Sequence, residues 1–305
     1  MPGPCASIAQ LVAPDCGPGA EFAAGFLKTA AYPAGVSFGP GMRKTWPRKQ
    51  DRGETMHDSE TGEQPEILPL GADGLLVRFS TRLEDAANRA VLELARRLDD
   101  DMPEGVDEMS TALSSVYLRY DPDRTTRAAL AEALHQRLAG QDWRALPEAE
   151  ARRRWHIPTA FGGDHGPQLA ETAAMLGMSE EAAVADLAAH PVRVLAIGFA
   201  PGQPYLGMLP DRWNIPRLQE ITPRIPAQAL VVAVRQLIVF TAATPTGWRH
   251  IGQTGFRPYR PEAAAPFPLL PGDVLQFDPV SAEEFDRVLK SDSDGMGGAR
   301  LEVVA

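Results

Sequence analysis

The alternation of apolar and polar positions divides the chain into stretches of different texture. Up to about residue 64 no helical or strand period persists, and Gly17-Pro18-Gly19 and Gly39-Pro40-Gly41 punctuate a Gly-, Pro- and Ala-rich run. Such a stretch predicts a disordered extension, with room for one short helix near Ala20–Ala31. From Glu66 to Trp143 periods appear. Gly74–Phe79 reads as a strand, and Thr81-x-x-Glu84 as a capping box that would satisfy free backbone N–H groups. Behind it Ala87, Val91, Leu94, Ala95 and Leu98 fall on one helical face. Ser114–Tyr120 alternates as a second strand. After the turn at Asp121-Pro122-Asp123, a helix carries Leu130, Leu134 and Leu138 inward and stops at Gly140. With a further strand near Trp155–Thr159, the pattern predicts a small α+β sandwich of ferredoxin-like type.

Two helices are expected next. One spans about Pro167–Leu176, with Gly177 just past its end; the other opens at the N-cap Ser179 and runs to about Ala189. Beyond Pro191, short β-rich runs alternate with Pro and Gly: Val192–Ile197, Leu230–Val234, Leu237–Thr241, Gly255–Tyr259 and Asp273–Phe277. That texture predicts a closed or nearly closed β-barrel. Ser291–Gly298 reads as a polar linker, and Leu301–Ala305 as a last edge strand. The expected organisation is therefore a disordered extension over 1–64, a ferredoxin-like α+β domain over 65–145, a helical connection over 146–190 and a barrel over 191–305.

Composition narrows the function. With 30 Lys+Arg against 40 Asp+Glu the formal charge is −10, which argues against a nucleic-acid partner. No run reaches the ~18 apolar residues of a membrane span. The cysteines are Cys5 and Cys16; they can pair, but two thiols in an unordered tail is the plainer reading. The cysteine-free remainder excludes a Cys nucleophile, a zinc-thiolate site and an iron–sulfur cluster there. A basic n-region followed by an apolar h-region is missing at the N-terminus, so a cytoplasmic location is expected, and Met56 is a candidate true start.

The chain has no Gly-x-x-x-x-Gly-Lys-Ser/Thr loop and no Gly-x-Ser-x-Gly elbow. Its histidines (His57, His135, His156, His165, His190, His250) show no metal-ligand spacing, so no metal site is expected. Three segments remain. Ile197–Pro210 (Ile-Gly-Phe-Ala-Pro-Gly-Gln-Pro-Tyr-Leu-Gly-Met-Leu-Pro) sets an irregular backbone directly after an apolar strand. It can bring main-chain N–H groups to a ligand or partner, or simply turn a corner. Thr222-Pro223-Arg224-Ile225-Pro226 stiffens one guanidinium, a planar fork for carboxylate or phosphate. Pro245–Thr254 places Trp248 beside Gly247 and Gly252; the indole can floor a pocket, though a lone Trp is more often core.

The ordered series Gly-Phe-x-Pro-Gly-x-Pro-Tyr-Leu-Gly, Pro-Arg-x-x-Pro, Pro-x-Gly-Trp-x-x-Ile-Gly-x-Thr, and Pro-Gly-Asp-x-x-x-Phe at Pro271–Phe277 resembles the 5-oxoprolinase B-subunit family. Its members also carry the names allophanate hydrolase subunit 1 and sensor-histidine-kinase inhibitor, and correspond to half of a carboxyltransferase domain. The resemblance runs from about Pro69 to Val288. It implies a ferredoxin-like unit followed by a cyclophilin-like barrel. It also implies a homologous second subunit (of the 5-oxoprolinase C-subunit or allophanate hydrolase subunit 2 type) and a lactam-binding third protein, with ATP used by the complex to open 5-oxoproline to glutamate. The substrate-binding positions it implies here are Pro201, Gly202, Tyr205, Arg224, Gln236, Gly247, Trp248 and Gln253; catalytic residues are not assigned, and no biotin site is expected.

The chain departs from the family at several positions. Gln203 stands for Phe, Gln228, Val234 and Ile238 for Gly, Thr246 for Gly, and Gln253 for Arg. A β-branched residue resists φ > 0, so the turn near Arg235 is expected to be built differently. The departures keep a second reading in play, a regulatory binding protein of the sensor-kinase-inhibitor type without catalysis. A third, a urea carboxylase piece, would need a biotin carrier that this chain lacks.

Overall fold

The computed structural model describes residues 64–148 and 152–304. The expected extension over 1–64, save its last residue, with its short helix and the Cys5–Cys16 pairing, lies outside the described residues.

The first unit runs β1 (Glu66–Leu70), β2 (Gly74–Arg78), α1 (Asp85–Asp100), β3 (Val106–Thr111), β4 (Ser115–Tyr120) and α2 (Arg127–Leu138). The sheet order is β1-β2-β4-β3, antiparallel throughout. Strands β2 and β3 flank β4 with α1 between them in sequence, which is the split βαβ of the ferredoxin-like plait. The edge strand that would follow the second helix in that plait is supplied instead by β1, from the other end of the unit. The helices bury the predicted stripes: Ala87, Val91, Leu94 and Leu98 of α1, and Leu130, Leu134 and Leu138 of α2, pack on Leu75, Val77, Val116 and Leu118. Thr126 caps α2 by accepting from Ala129 N at 3.2 Å.

Periodicity missed β1 and β3, whose side chains are mostly half-buried or exposed and so carry little apolar signal. The capping box at Thr81 does not form. Glu84 is itself the N-cap, in extended conformation, and its carboxylate is held by Arg144 and Ser80. The strand expected near Trp155–Thr159 exists but leaves this unit for the barrel.

The rest of the chain follows as β5 (Arg153–Phe161), α3 (Leu169–Leu176), α4 (Glu180–Ala188), β6 (Val192–Ile197), β7 (Pro204–Gly207), β8 (Thr222–Ile225), β9 (Ala229–Ala233), β10 (Gln236–Val239), β11 (Thr244–Thr246), β12 (Arg249–Thr254), β13 (Val274–Pro279), α5 (Ala282–Ser291) and β14 (Arg300–Val303). The segment expected to be a helical connection thus opens with a nine-residue strand. Strand β5 does two jobs. Its C-terminal end pairs with β12 and closes the ring β12-β9-β10-β7-β6-β13-β5, while its N-terminal half also carries the edge strand β14. Each barrel strand sends alternate residues inward, among them Ile157, Val194, Leu206, Leu230, Val232, Leu237, Ile251 and Phe277. The fold is therefore α+β, a ferredoxin-like sandwich followed by a cyclophilin-like β-barrel, as the sequence predicts.

Three sequence expectations need correction here. Gly255–Tyr259 is irregular rather than a strand, because β12 already ends at Thr254 and Gly255 meets Gly297 so closely that neither tolerates a β-carbon. The expected tail linker begins one residue late, because a helix the sequence did not predict, α5, runs to Ser291; its cap Ser281 accepts from Glu284 N and its Phe285 is buried. The turn near Arg235 is not rebuilt: Val234 and Arg235 keep φ of 46° and 64°, the left-handed pair of a tight hairpin between β9 and β10. Tertiary bonds hold it there. Val234 N donates to Ile215 O at 2.8 Å, Arg235 N to Trp213 O at 3.1 Å, and Arg235 Nε to Leu209 O at 2.7 Å.

The two units are joined by α1. Asn88, fully buried, donates its amide to Leu113 O at 3.0 Å and to Leu195 O of β6 at 2.9 Å.

Candidate functional site

The outward residues of β9 and β10 do not face water. Ala229, Val231, Ala233, Ile238 and Phe240 form a second apolar cluster with Ile225 and Trp248, and Tyr205 packs against it. The antiparallel ribbon β8–β11 covers this face, with Ile225 paired to Thr244 and Thr222 to Thr246. Proline at 223, 226 and 245 fits a ribbon of this kind, since it lies outside the barrel ladder and loses no barrel hydrogen bond.

Register places several of the sequence-predicted residues on that face. Gln236 pairs with Ala233, Tyr205 with Ile238, and Gln253 with Ala229. One residue beyond the pair Arg249–Val232, Trp248 falls opposite Ala233. Trp248, Gln236 and Tyr205 thus gather at and beside one end of the face. Gln253 lies at the other, the distance from Ala233 to Ala229 along β9, or about 13 Å at ~3.3 Å per residue. A small ligand the size of a single lactam ring cannot touch both ends. Pro201 and Gly202 belong to the Gln253 end, where a β-carbon on Gly202 would collide with the Pro258 carbonyl. Arg224 is exposed on β8, opposite in alternation to the buried Ile225, and Gly247 lies near Leu218 O.

Trp248 is 5% exposed and sits inside the apolar cluster, with the Arg217 guanidinium 5.2 Å from its ring centre. Gln236 is also 5% exposed, and its amide nitrogen has no hydrogen-bond partner. A buried donor without an acceptor costs about 1–3 kcal/mol. It is the kind of group a bound carbonyl or carboxylate would satisfy. Gln253 turns its amide nitrogen to Ala227 O at 2.8 Å and leaves its carbonyl oxygen free of ordinary hydrogen bonds.

Beside Gln253 stands a residue to which the sequence assigned no role. His250 is buried, and burial pushes its imidazole below the usual value, against the pull of the Gly252 backbone and the Gln253 side chain; His165 pushes the same way as burial. Its backbone is clamped by Gln168, whose Oε1 accepts from His250 N at 2.6 Å. Only the Ile-Gly-x-Thr context marked it in the sequence, and position alone does not show burial.

The Asp273 carboxylate of the Pro-Gly-Asp motif is structural. It accepts from Trp155 Nε1 at 3.1 Å and Leu270 N at 3.0 Å, and burial pushes its carboxyl up despite these bonds and Arg153. Among the described residues, no group of three or more His, Cys, Asp or Glu side chains is placed to hold a metal ion, and no helix is long and apolar enough to cross a membrane. Two recesses lie away from the candidate face. One of 510 Å³ is lined by Phe161, Gly162, Leu169, Glu180 and Val280; one of 420 Å³ by Arg257, Arg260, Glu262 and Asp294.

A plait leading into a closed barrel with a ribbon-covered outer face is a fold of carboxyltransferase type. Residues 65–269 match the family described as carboxyltransferase domain, subdomain C and D. The chain belongs to that family, and within it to the 5-oxoprolinase B-subunit family. It is 32% identical over 212 residues to the 5-oxoprolinase B-subunit of Escherichia coli O157:H7, covering 69% of this chain and 94% of that one. The Bacillus subtilis (strain 168) protein of the same name is 28% identical over 231 residues, 72% of this chain and 95% of that one. The solved structure of TTHA0988 in space group P6522 superposes with a TM-score of 0.57 at 32% identity, covering 69% of this chain. This chain spans 40% of TTHA0988's length. The Kluyveromyces lactis urea amidolyase shares the fold, with a TM-score of 0.62 at 16% identity over 78% of this chain and 16% of that one.

Proposed function

We propose that this chain is a subunit of an ATP-dependent hydrolase complex of 5-oxoprolinase type, acting on a cyclic amide or allophanate. In this reading it is inactive alone and works in the cytoplasm, paired with a homologous second subunit and a lactam-binding third. The observation that carries the reading is the meeting of Tyr205, Gln236 and Trp248, drawn from three separate stretches of the sequence, on one barrel face.

The chemistry suits such a face. A lactam carbonyl is a poor electrophile, and phosphorylation by ATP activates it. Phosphoryl transfer asks the protein for charge-stabilising donors rather than for a nucleophilic triad. At this end of the face Gln236 offers the unpaired amide donor and Gly247 a main-chain N–H group, while Arg224, on the outward side of β8, and Gly202, after Pro201 at the far end, would serve only a ligand or partner group that reaches beyond one lactam ring. No metal or biotin is assigned to this chain; ATP enters through the complex.

The test is release of glutamate from 5-oxoproline by the reconstituted subunits, dependent on ATP and on this chain. If the complete complex binds neither 5-oxoproline nor ATP, the reading fails. The second reading, a regulatory binding protein of the sensor-kinase-inhibitor type, is favoured by two observations. Trp248 is packed as core, and Gln253 carries no charge where the family has Arg. Capture of a sensor kinase, with no effect of gene deletion on growth with 5-oxoproline, would select it.

A further inference from the structure

The most exposed large apolar side chain of the described residues is also held in a strained backbone. Phe199 is 83% exposed, with φ of 71°. For an aromatic L-residue that region is disfavoured, and such strain persists only where the surroundings impose it. They do so here. Gly198 N donates to Gln203 O at 3.0 Å and Gln203 N to Ala200 O at 3.1 Å, closing the loop that carries Phe199 between β6 and β7. Gln203 is buried, and Gly202, itself at φ of 71°, is wedged against Pro258. The loop is therefore a fixed mount, and the ring it presents points to solvent.

Phe199 lines neither of the two recesses, so it does not complete a small-molecule pocket among them. Residues 198–204 (Gly-Phe-Ala-Pro-Gly-Gln-Pro) carry no charge in a chain of net charge −10, so the loop offers no electrostatic handle to a nucleic acid or an ionic headgroup. What remains is the burial of one large, pre-ordered aromatic in another protein, the usual form of an interface anchor.

We infer that Phe199 is the anchor by which this chain docks its second subunit, entering an uncharged, apolar socket on that protein. The inference rests on the complex proposed above. It is supported by the relatives, which are named as subunits, and by TTHA0988, where chain beyond the matched part accompanies this fold. The strain serves the association: the free chain stores it, and a ring already in position loses little freedom on binding.

The test uses the full chain and the second subunit, of 5-oxoprolinase C-subunit type, from the same organism, with affinity read by titration and folding by thermal melting. Phe199→Ala is expected to weaken the complex by tenfold or more. Phe199→Gly is expected to weaken it equally while the melting temperature of the free chain stays level or rises, because glycine relieves the positive φ. Wild-type-like affinity of both variants overturns the anchor and leaves the proposed function standing. If the wild-type chain binds no second subunit, the proposed function and the anchor fall together.

Discussion

The plait reserves positive φ for glycine, whereas the barrel part uses glycine and larger residues alike. Among the described residues of the plait, positive φ occurs only at glycines: Gly71, Gly105 and Gly140. In the barrel, Phe199, Gln228, Val234 and Arg235 adopt it with full side chains. The barrel also holds most of the buried polar atoms left without partners, including those of Gln236, Thr241, His250 and Gln253. A unit with relaxed turns and a tidy apolar core behaves as scaffold. Strain and unpaired donors gathered around one barrel face mark the region whose sequence answers to something besides stability.

The largest effects are expected at two of the buried tryptophans, one in each region. Trp143 closes the plait core against Phe79, and Trp248 lies in the outer barrel cluster. Each truncated to Ala is expected to cost about 3–5 kcal/mol in urea unfolding. A loss well under ~1 kcal/mol at Trp248 alone would mean that its indole floors an open pocket.

Glycine exchange comes next. Val234→Gly is expected to stabilise the chain by about 1 kcal/mol, whereas Gly71→Ala, at φ of 70° with nothing nearby, is expected to destabilise it by about 1 kcal/mol. A loss on Val234→Gly would show that packing of the valine outweighs its backbone strain.

Acid separates the regions further. The Arg96 and Arg97 guanidinium groups hold Glu93 of α1 at about 2 against an ordinary 4.5, burial opposing them. Its contribution is present above pH 4.5 and is lost as pH falls toward 2. His250 is shifted down from 6.5 by burial, so the folded state favours the neutral ring. That contribution is complete above pH 6.5 and declines as pH drops below it. His250→Leu should flatten the stability profile below about pH 6.5, and Glu93→Gln only the profile below about pH 4.5. Unchanged slopes in unfolding titrations would contradict the assignment. The smallest effect on stability is expected at Arg224→Ala, within about 0.5 kcal/mol, because the side chain is exposed; unfolding of this variant would make Arg224 structural.

These contrasts also explain how much was legible beforehand. Helices α1 and α2 announced themselves because their stripes point into one core, and β6, β9, β10 and β13 because their interiors are apolar. Strands β1 and β3 did not, being half-buried or exposed along their length. Motif order brought Tyr205, Gln236 and Trp248 to one face, but could not show that Gln253 lies at its far end, since that depends on register. The burial of His250 and the exposure of Phe199 were invisible for the same reason: neither follows from residue type. The turn at Val234 misled because local preference was overridden by bonds from Ile215 and Trp213, which lie before β9 in sequence.

The barrel face stands or falls most directly on Gln236. Leucine at this position removes the unpaired amide while roughly keeping its volume. In the complex reconstituted with its partner subunits, Gln236→Leu is expected to keep or raise the unfolding free energy and to lower ATP-dependent glutamate release from 5-oxoproline at least tenfold. Wild-type turnover by a folded Gln236→Leu complex would show that this face takes no part in the reaction.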